Sequence, residues 1–126
     1  MNFNDNKIKE EFNSNGYAAI YSFFNNDRIQ EIKNKIDRYI IDIVPTLSNH
    51  HVFYEDKSDK STIKNLQQMF NYDDYFKKLI EESAIQEVAS FLLQEKAIPK
   101  NLQYFNKPAG VGKPTPPHQD GYYFML

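Results

Sequence analysis

His118, Gln119 and Asp120 form one run directly after Pro117, with an imidazole and a carboxylate two positions apart. In an extended strand, side chains at i and i+2 project from the same face. His118 and Asp120 would then point together, with Gln119 on the other side. Such a pair supplies two of the three ligands of a facial 2-His-1-carboxylate site. A site of that kind grips iron(II) on one face and leaves positions open for oxygen chemistry. The pattern H-x-D is short, however, and alone it more often describes a surface histidine beside a loop aspartate.

The other groups that could do chemistry are weaker. His50 and His51 are adjacent in a polar stretch, where solvent exposure is the usual outcome, so a ligand role there is a minor reading. Gly110-Val-Gly-Lys-Pro-Thr115 looks like the tail of a phosphate loop. It fails on two counts: the loop needs glycine where Lys107 stands, and Ser or Thr where Pro114 stands. Pro114-Thr-Pro-Pro117 fits P-x-x-P but is flanked by strand-like residues rather than by an exposed tract. Tyr122, Tyr123 and Phe124 could stack on bases, but no basic groove accompanies them.

Several elements must position the run. Asn4 to Ser14 is predicted as a short helix stopped by Gly16, and Tyr17 to Phe24 as a strand and turn. Asp27 to Gln30 has the capping-box pattern. Ile29, Ile32, Ile36, Tyr39 and Ile43 then recur at helical spacing on one stripe, which Pro45 should end. Residues 46–61 are polar and predicted as a surface loop, and residues 62–70 as helix or strand. Asp73 to Glu82 is predicted as a helix with Phe76, Leu79 and Ile80 on one side. Ser83 to Gln86 is a second capping box. It opens a helix whose core face is Ile85, Val88, Ala89 and Leu92. Leu102 to Asn106 is a strand candidate, Lys107 to Pro117 a Pro/Gly loop, and Gly121 to Leu126 a buried strand.

Composition is that of an ordinary globular chain. Its 126 residues are 40% apolar and 25% charged, with a net charge of −2, which gives no electrostatic case for nucleic acid or an anionic membrane surface. Cysteine is absent, which excludes disulfides, zinc–thiolate sites and thiol catalysis. The polar start argues against a secretory signal, and no apolar stretch is long enough to span a bilayer. A cytoplasmic protein is the resulting expectation.

The run Asn106, Lys107, Pro108, Gly110, Gly112, Pro117, His118, Gln119, Asp120, Gly121 and Tyr122 resembles the metal-binding segment of the phytanoyl-CoA dioxygenase family. In that family a strand leads into N-K-P-x-G, then a glycine and proline loop, then a proline directly before H-Q-D-G and aromatics. The opening F-x-x-x-G-Y-A-A-I, with Phe12, Gly16 and Tyr17, and the helices that follow are similar to the family's start. The resemblance implies an α+β protein, part of a double-stranded β-helix (jelly roll) with N-terminal helices packed on the sheet. It implies iron(II) held by His118 and Asp120, with 2-oxoglutarate as cosubstrate and Lys64 and Gln103 as the residues that touch it. The reaction implied is hydroxylation of a small organic substrate by O₂, coupled to decarboxylation of 2-oxoglutarate to succinate. Relatives that halogenate lack the carboxylate, so Asp120 favours hydroxylation. The family's second histidine and its 2-oxoglutarate-binding arginine fall downstream of this sequence.

A jelly roll needs about eight strands, and roughly four are offered here. Residues 1–126 are therefore expected to form one domain, the N-terminal part of a longer dioxygenase domain. Two other classes stay open: a catalytically inactive fragment or metal-binding remnant, and a cupin-like metalloprotein with other cosubstrates.

Overall fold

The computed structural model describes residues 5–119 and residue 121. Helix α1 (Asn6–Asn15) is capped by the Asp5 carboxylate, which accepts from the Lys7 N–H. It stops where expected. Gly16 takes a left-handed conformation (φ 77°) and donates to Phe12 O at 2.8 Å, a geometry open to glycine at no steric cost. The strand expected at 17–24 does not form: the segment is irregular, and Tyr21 is 90% exposed. Aromatic and β-branched residues favour strands only where a partner strand and a buried face exist, and this segment has neither.

Helix α2 (Asn26–Arg38) starts two residues earlier than the capping box suggested. Asn25, not Asp27, is its cap, accepting from the Arg28 N–H at 2.8 Å. Pro45 does not end the helix abruptly. The winding widens into a π turn at Tyr39–Ile43, with the Val44 N–H bonded to Tyr39 O, and then tightens into a 3-10 turn, Val44–Thr46. Proline has no N–H to give and its ring crowds the carbonyl four residues back, so the wider turn relieves both problems before the chain leaves. The predicted stripe holds except at its start. Tyr39 is fully buried, Ile32, Ile36 and Ile43 pack partly against the core, and Ile29 is exposed.

The stretch expected as a loop contains a strand, β1 (Val52–Tyr54). It pairs antiparallel with β2 (Ile63–Leu66), which pairs antiparallel with β3 (Tyr104–Phe105). Partners are Val52 with Leu66, Phe53 with Asn65 and Tyr54 with Ile63, so Lys64 is the extra residue of a bulge on β2. A 3-10 turn (Met69–Asn71) leads to α3 (Asp74–Ile80), capped by Asp73, and then to α4 (Ser83–Leu93). Glu82, one residue before the expected Ser83, occupies the cap position of α4 and makes no side-chain capping bond. The predicted core face of α4 is only half-buried, and Ile85 is exposed.

The core lies where the α2 extension, the sheet and α3 meet: Tyr39, Val44, Val52, Ile63, Leu66, Met69, Phe76 and Leu79. Tyr39 and Phe76 meet edge to face, with centroids 5.4 Å apart. Such a pair adds roughly 0.5–1.5 kcal/mol beyond area burial. Arg28 stitches α2 to the later helices: its guanidinium donates to Tyr75 Oη at 3.2 Å and to Glu82 Oε2 at 2.7 Å. Arg38 pairs with Asp73. The Glu82 and Glu31 carboxylates hold the Arg28 pKa above its ordinary value, and Arg28 in turn holds Glu31 below the usual carboxylate range.

The described residues thus form helices and a three-stranded antiparallel sheet, an α+β arrangement. Of the strand expected at Gly121–Leu126, only Gly121 is described, and it sits in a helical turn. No helix among the described residues is long and apolar enough to cross a membrane.

Candidate functional site

Lys64 lies on β2 and Gln103 directly precedes β3, and each is committed to a partner. The Lys64 ammonium lies 3.3 Å from Glu55 Oε1. Its side chain is 39% exposed, whereas that of Glu55 is 5% exposed. An ammonium carries three donors, so the ion pair with Glu55 leaves Lys64 able to bond elsewhere. Gln103 is exposed, and its carbonyl accepts from Asn65 Nδ2 at 3.1 Å. The same Asn65 amide donates to Tyr104 O at 3.1 Å. Asn65 is buried, and a buried amide needs such partners to offset its desolvation.

Asn106 closes the bulge that carries Lys64. Its backbone N–H donates to Lys64 O at 2.8 Å, and its side-chain amide donates to Ile63 O at 3.0 Å. Both carbonyls of the bulge are thereby satisfied by a single residue. The turn that follows is tight: the Gly112 N–H donates to Pro108 O at 2.8 Å, and Gly110 lies in the left-handed region (φ 79°). A β-carbon at Gly112 would sit 3.0 Å from Pro108 O and 3.1 Å from Lys107 C, so the turn is built around its absence. The Lys113 N–H then reaches Glu55 Oε1 at 3.4 Å.

His118 follows on this loop, outside the helices and strands, rather than in the extended strand considered from the sequence. Pro114, Pro116 and Pro117 explain the difference, since none can donate to a ladder. The ring is exposed, with Nδ1 2.9 Å from Pro116 O. A carbonyl only accepts, so Nδ1 carries the proton and the lone pair of the neutral ring is on Nε2. Metal-binding histidines commonly show this arrangement, with the second nitrogen held by a backbone carbonyl. The donor chemistry at His118 therefore fits an iron ligand. Asp120 lies outside the described residues. Among the described residues no group of three or more His, Cys, Asp or Glu side chains is placed to hold a metal. His51 packs against Tyr72, with ring centroids 5.3 Å apart, at the start of β1.

The family model for phytanoyl-CoA dioxygenase (PhyH) matches residues 12–125. The chain belongs to the phytanoyl-CoA dioxygenase family. The matched span takes in Lys64, Gln103, His118 and Asp120 and covers most of the sequence. No curated protein and no solved structure matches the chain. Phytanoyl-CoA dioxygenases are generally dependent on iron(II) and 2-oxoglutarate, so membership gives oxygenase-type chemistry on a small molecule with O₂.

Glu55, Asn65 and the Asn106 side chain carry the local geometry of this phytanoyl-CoA dioxygenase chain, and sequence reading gave none of them a role. Asn65 had a signal, a lone amide inside the strand-like Ile63–Leu66. Glu55 had none, because its partners lie 9 and 58 residues away. A cleft of about 830 Å³ lies elsewhere and is lined by Arg38, Tyr72, Asp73, Tyr75 and Lys77 among others.

Proposed function

We propose that the protein is an iron(II)- and 2-oxoglutarate-dependent dioxygenase that hydroxylates a small organic substrate, with 2-oxoglutarate converted to succinate and CO₂. The family match over residues 12–125 carries this reading, because it runs through the H-Q-D-G segment and the strands that precede it. In this reading residues 1–126 are the N-terminal part of a jelly-roll dioxygenase domain. His118 and Asp120 hold the iron, and a second histidine beyond residue 126 completes the set. The bound metal supplies a place where O₂ and 2-oxoglutarate meet next to the substrate. Asp120 fills the position that a halogenating relative leaves to chloride, which favours hydroxylation.

The chain's own residues bind and orient. Pro116 O holds the His118 ring through Nδ1. Lys64 offers its remaining donors to a carboxylate of 2-oxoglutarate, and Gln103 offers its amide N–H groups. The bulge at Lys64 and the tight turn at Pro108–Gly112 fix where these groups start from.

The deciding experiment is a succinate-release assay with iron(II), 2-oxoglutarate and a panel of candidate substrates. His118→Ala and Asp120→Ala are each expected to abolish iron-dependent succinate formation. Normal turnover in either variant would remove the assignment of the site.

A further inference from the structure

Glu55 directly follows β1. Its backbone N–H donates to Thr62 O at 2.9 Å, which continues the β1–β2 pairing past the bulge. Its side chain is nearly enclosed, at 5% exposure. An enclosed carboxylate is costly unless donors surround it. Among the described residues two groups reach it, and both converge on Oε1: the Lys64 ammonium as an ion pair at 3.3 Å, and the Lys113 N–H, which donates at 3.4 Å. One comes from the bulge of β2 and the other from the loop that leads to His118. Surface ion pairs are worth little, but this one is half-closed from solvent and shares its acceptor with a backbone group. The β1–β2 pair and a loop 58 residues beyond Glu55 therefore meet at one oxygen.

We propose that Glu55 is a positioning residue, whose carboxylate both aims the Lys64 ammonium and tethers the loop bearing His118. Cation and imidazole are thereby presented in one fixed relation. The identity of what they hold, a dicarboxylate beside a metal, rests on the dioxygenase reading; the tether does not. Asn106 supports the same relation from the other side, because it fixes the Lys64 backbone through Lys64 O.

The test pairs hydrogen exchange with steady-state kinetics on the full-length protein. In Glu55→Ala, amides of residues 107–117 are expected to exchange about tenfold faster, the effect of losing one charge-assisted bond, while β2 amides keep their protection. The KM for 2-oxoglutarate is expected to rise about fivefold with kcat held within about twofold, as expected for lost binding rather than lost chemistry. Glu55→Gln keeps an acceptor oxygen at the same reach and should return both readouts to within about twofold of the parent. Adding Lys64→Met to Glu55→Ala should raise KM little beyond Lys64→Met alone, because the two residues act through one ammonium. Unchanged loop exchange in Glu55→Ala, or KM effects of the two substitutions that multiply, would overturn the proposal. If the parent protein consumes no 2-oxoglutarate, the dioxygenase reading fails by itself, and the exchange comparison still decides the tether.

Discussion

Replacing Asn106 by Asp changes one NH₂ for one oxygen and leaves side-chain shape intact. The side-chain amide donates to Ile63 O at 3.0 Å in a partly buried setting, so the variant sets an oxygen acceptor against a carbonyl acceptor. The lost bond is worth about 1 kcal/mol, and leaving the carbonyl unpaired beside a partly desolvated carboxylate brings the cost to about 2–4 kcal/mol. Against a total stability of about 5–15 kcal/mol that is a large fraction. The backbone bond from Asn106 N to Lys64 O is untouched, so the strand pairing itself should survive. In urea titration the midpoint should fall by about 1–2 M with an unchanged slope. Asn106→Ala removes the donor without adding a charge and should cost less, about 1–2 kcal/mol.

Acidification separates this account from a general loss of packing. A protonated carboxyl can again donate to Ile63 O, so the folded state holds that proton more tightly than the unfolded chain does. A group with its folded pKa raised contributes stability that is fully present below the unfolded value and lost as pH rises through the folded value. The gap between parent and Asn106→Asp should therefore narrow as pH falls into the carboxylate range. An Asp variant as stable as the parent at neutral pH, or a gap that widens on acidification, would refute the reasoning.

Tyr39→Phe should stabilise the protein by about 1 kcal/mol, because the Tyr39 hydroxyl is buried and has no hydrogen-bond partner among the described residues, while the void left by one oxygen is small. Burial first, and then the charges of Asp73 and Tyr72, push the Tyr39 hydroxyl up to about 12 from its ordinary 10.0. The proton is held in the folded state, so this stability is intact below pH 10 and lost as pH rises through about 12; chemical melts should show a weaker alkaline decline in the Phe variant. Gly112→Ala places a β-carbon 3.0 Å from Pro108 O and should loosen the turn at a cost of about 1–2 kcal/mol. Faster amide exchange over residues 107–117 with an unshifted core transition is the expected signature, and unchanged exchange would show that the turn absorbs the group.

Local rules read well where one short segment decides the outcome. Gly16 ends α1 because a left-handed cap favours glycine, and Pro108, Gly110 and Gly112 fold back because that chain cannot be helical. The isoleucine stripe of α2 places Tyr39 in the core because helical spacing alone determines the face. Sequence reading fails where a distant partner decides. Val52–Tyr54 becomes a strand because β2 offers it an edge, whereas Tyr17–Phe24, also aromatic-rich, receives no edge and stays irregular. At the candidate site, Lys64, Gln103 and His118 were named as candidates by the family resemblance. Glu55 was not, since a carboxylate after a three-residue strand looks like any solvated acid until the loop closes over it.

Stability and site geometry meet on β2. Four residues form the central strand of the sheet, and they divide their work by position. Ile63 and Leu66 enter the apolar core beside Met69 and Phe76. Between them, Lys64 and Asn65 turn to polar partners, Glu55 for one and Gln103 with Tyr104 O for the other. The bulge makes this division possible. An unbroken ladder would give strict alternation, and one extra residue lets adjacent polar side chains serve different partners while the flanking apolar pair stays buried. Deleting Lys64 should therefore do more than remove a charge. It would restore a regular register between β1 and β2 and strip Glu55 of its cationic partner. It would also force Asn106 to abandon one of the two carbonyls it now satisfies. Lys64→Met, which keeps the extra residue and removes only the ammonium, should leave the β1–β2 pairing intact. A Lys64→Met variant that unfolds as readily as the deletion would show that the ion pair, and not the bulge, holds the two strands in register.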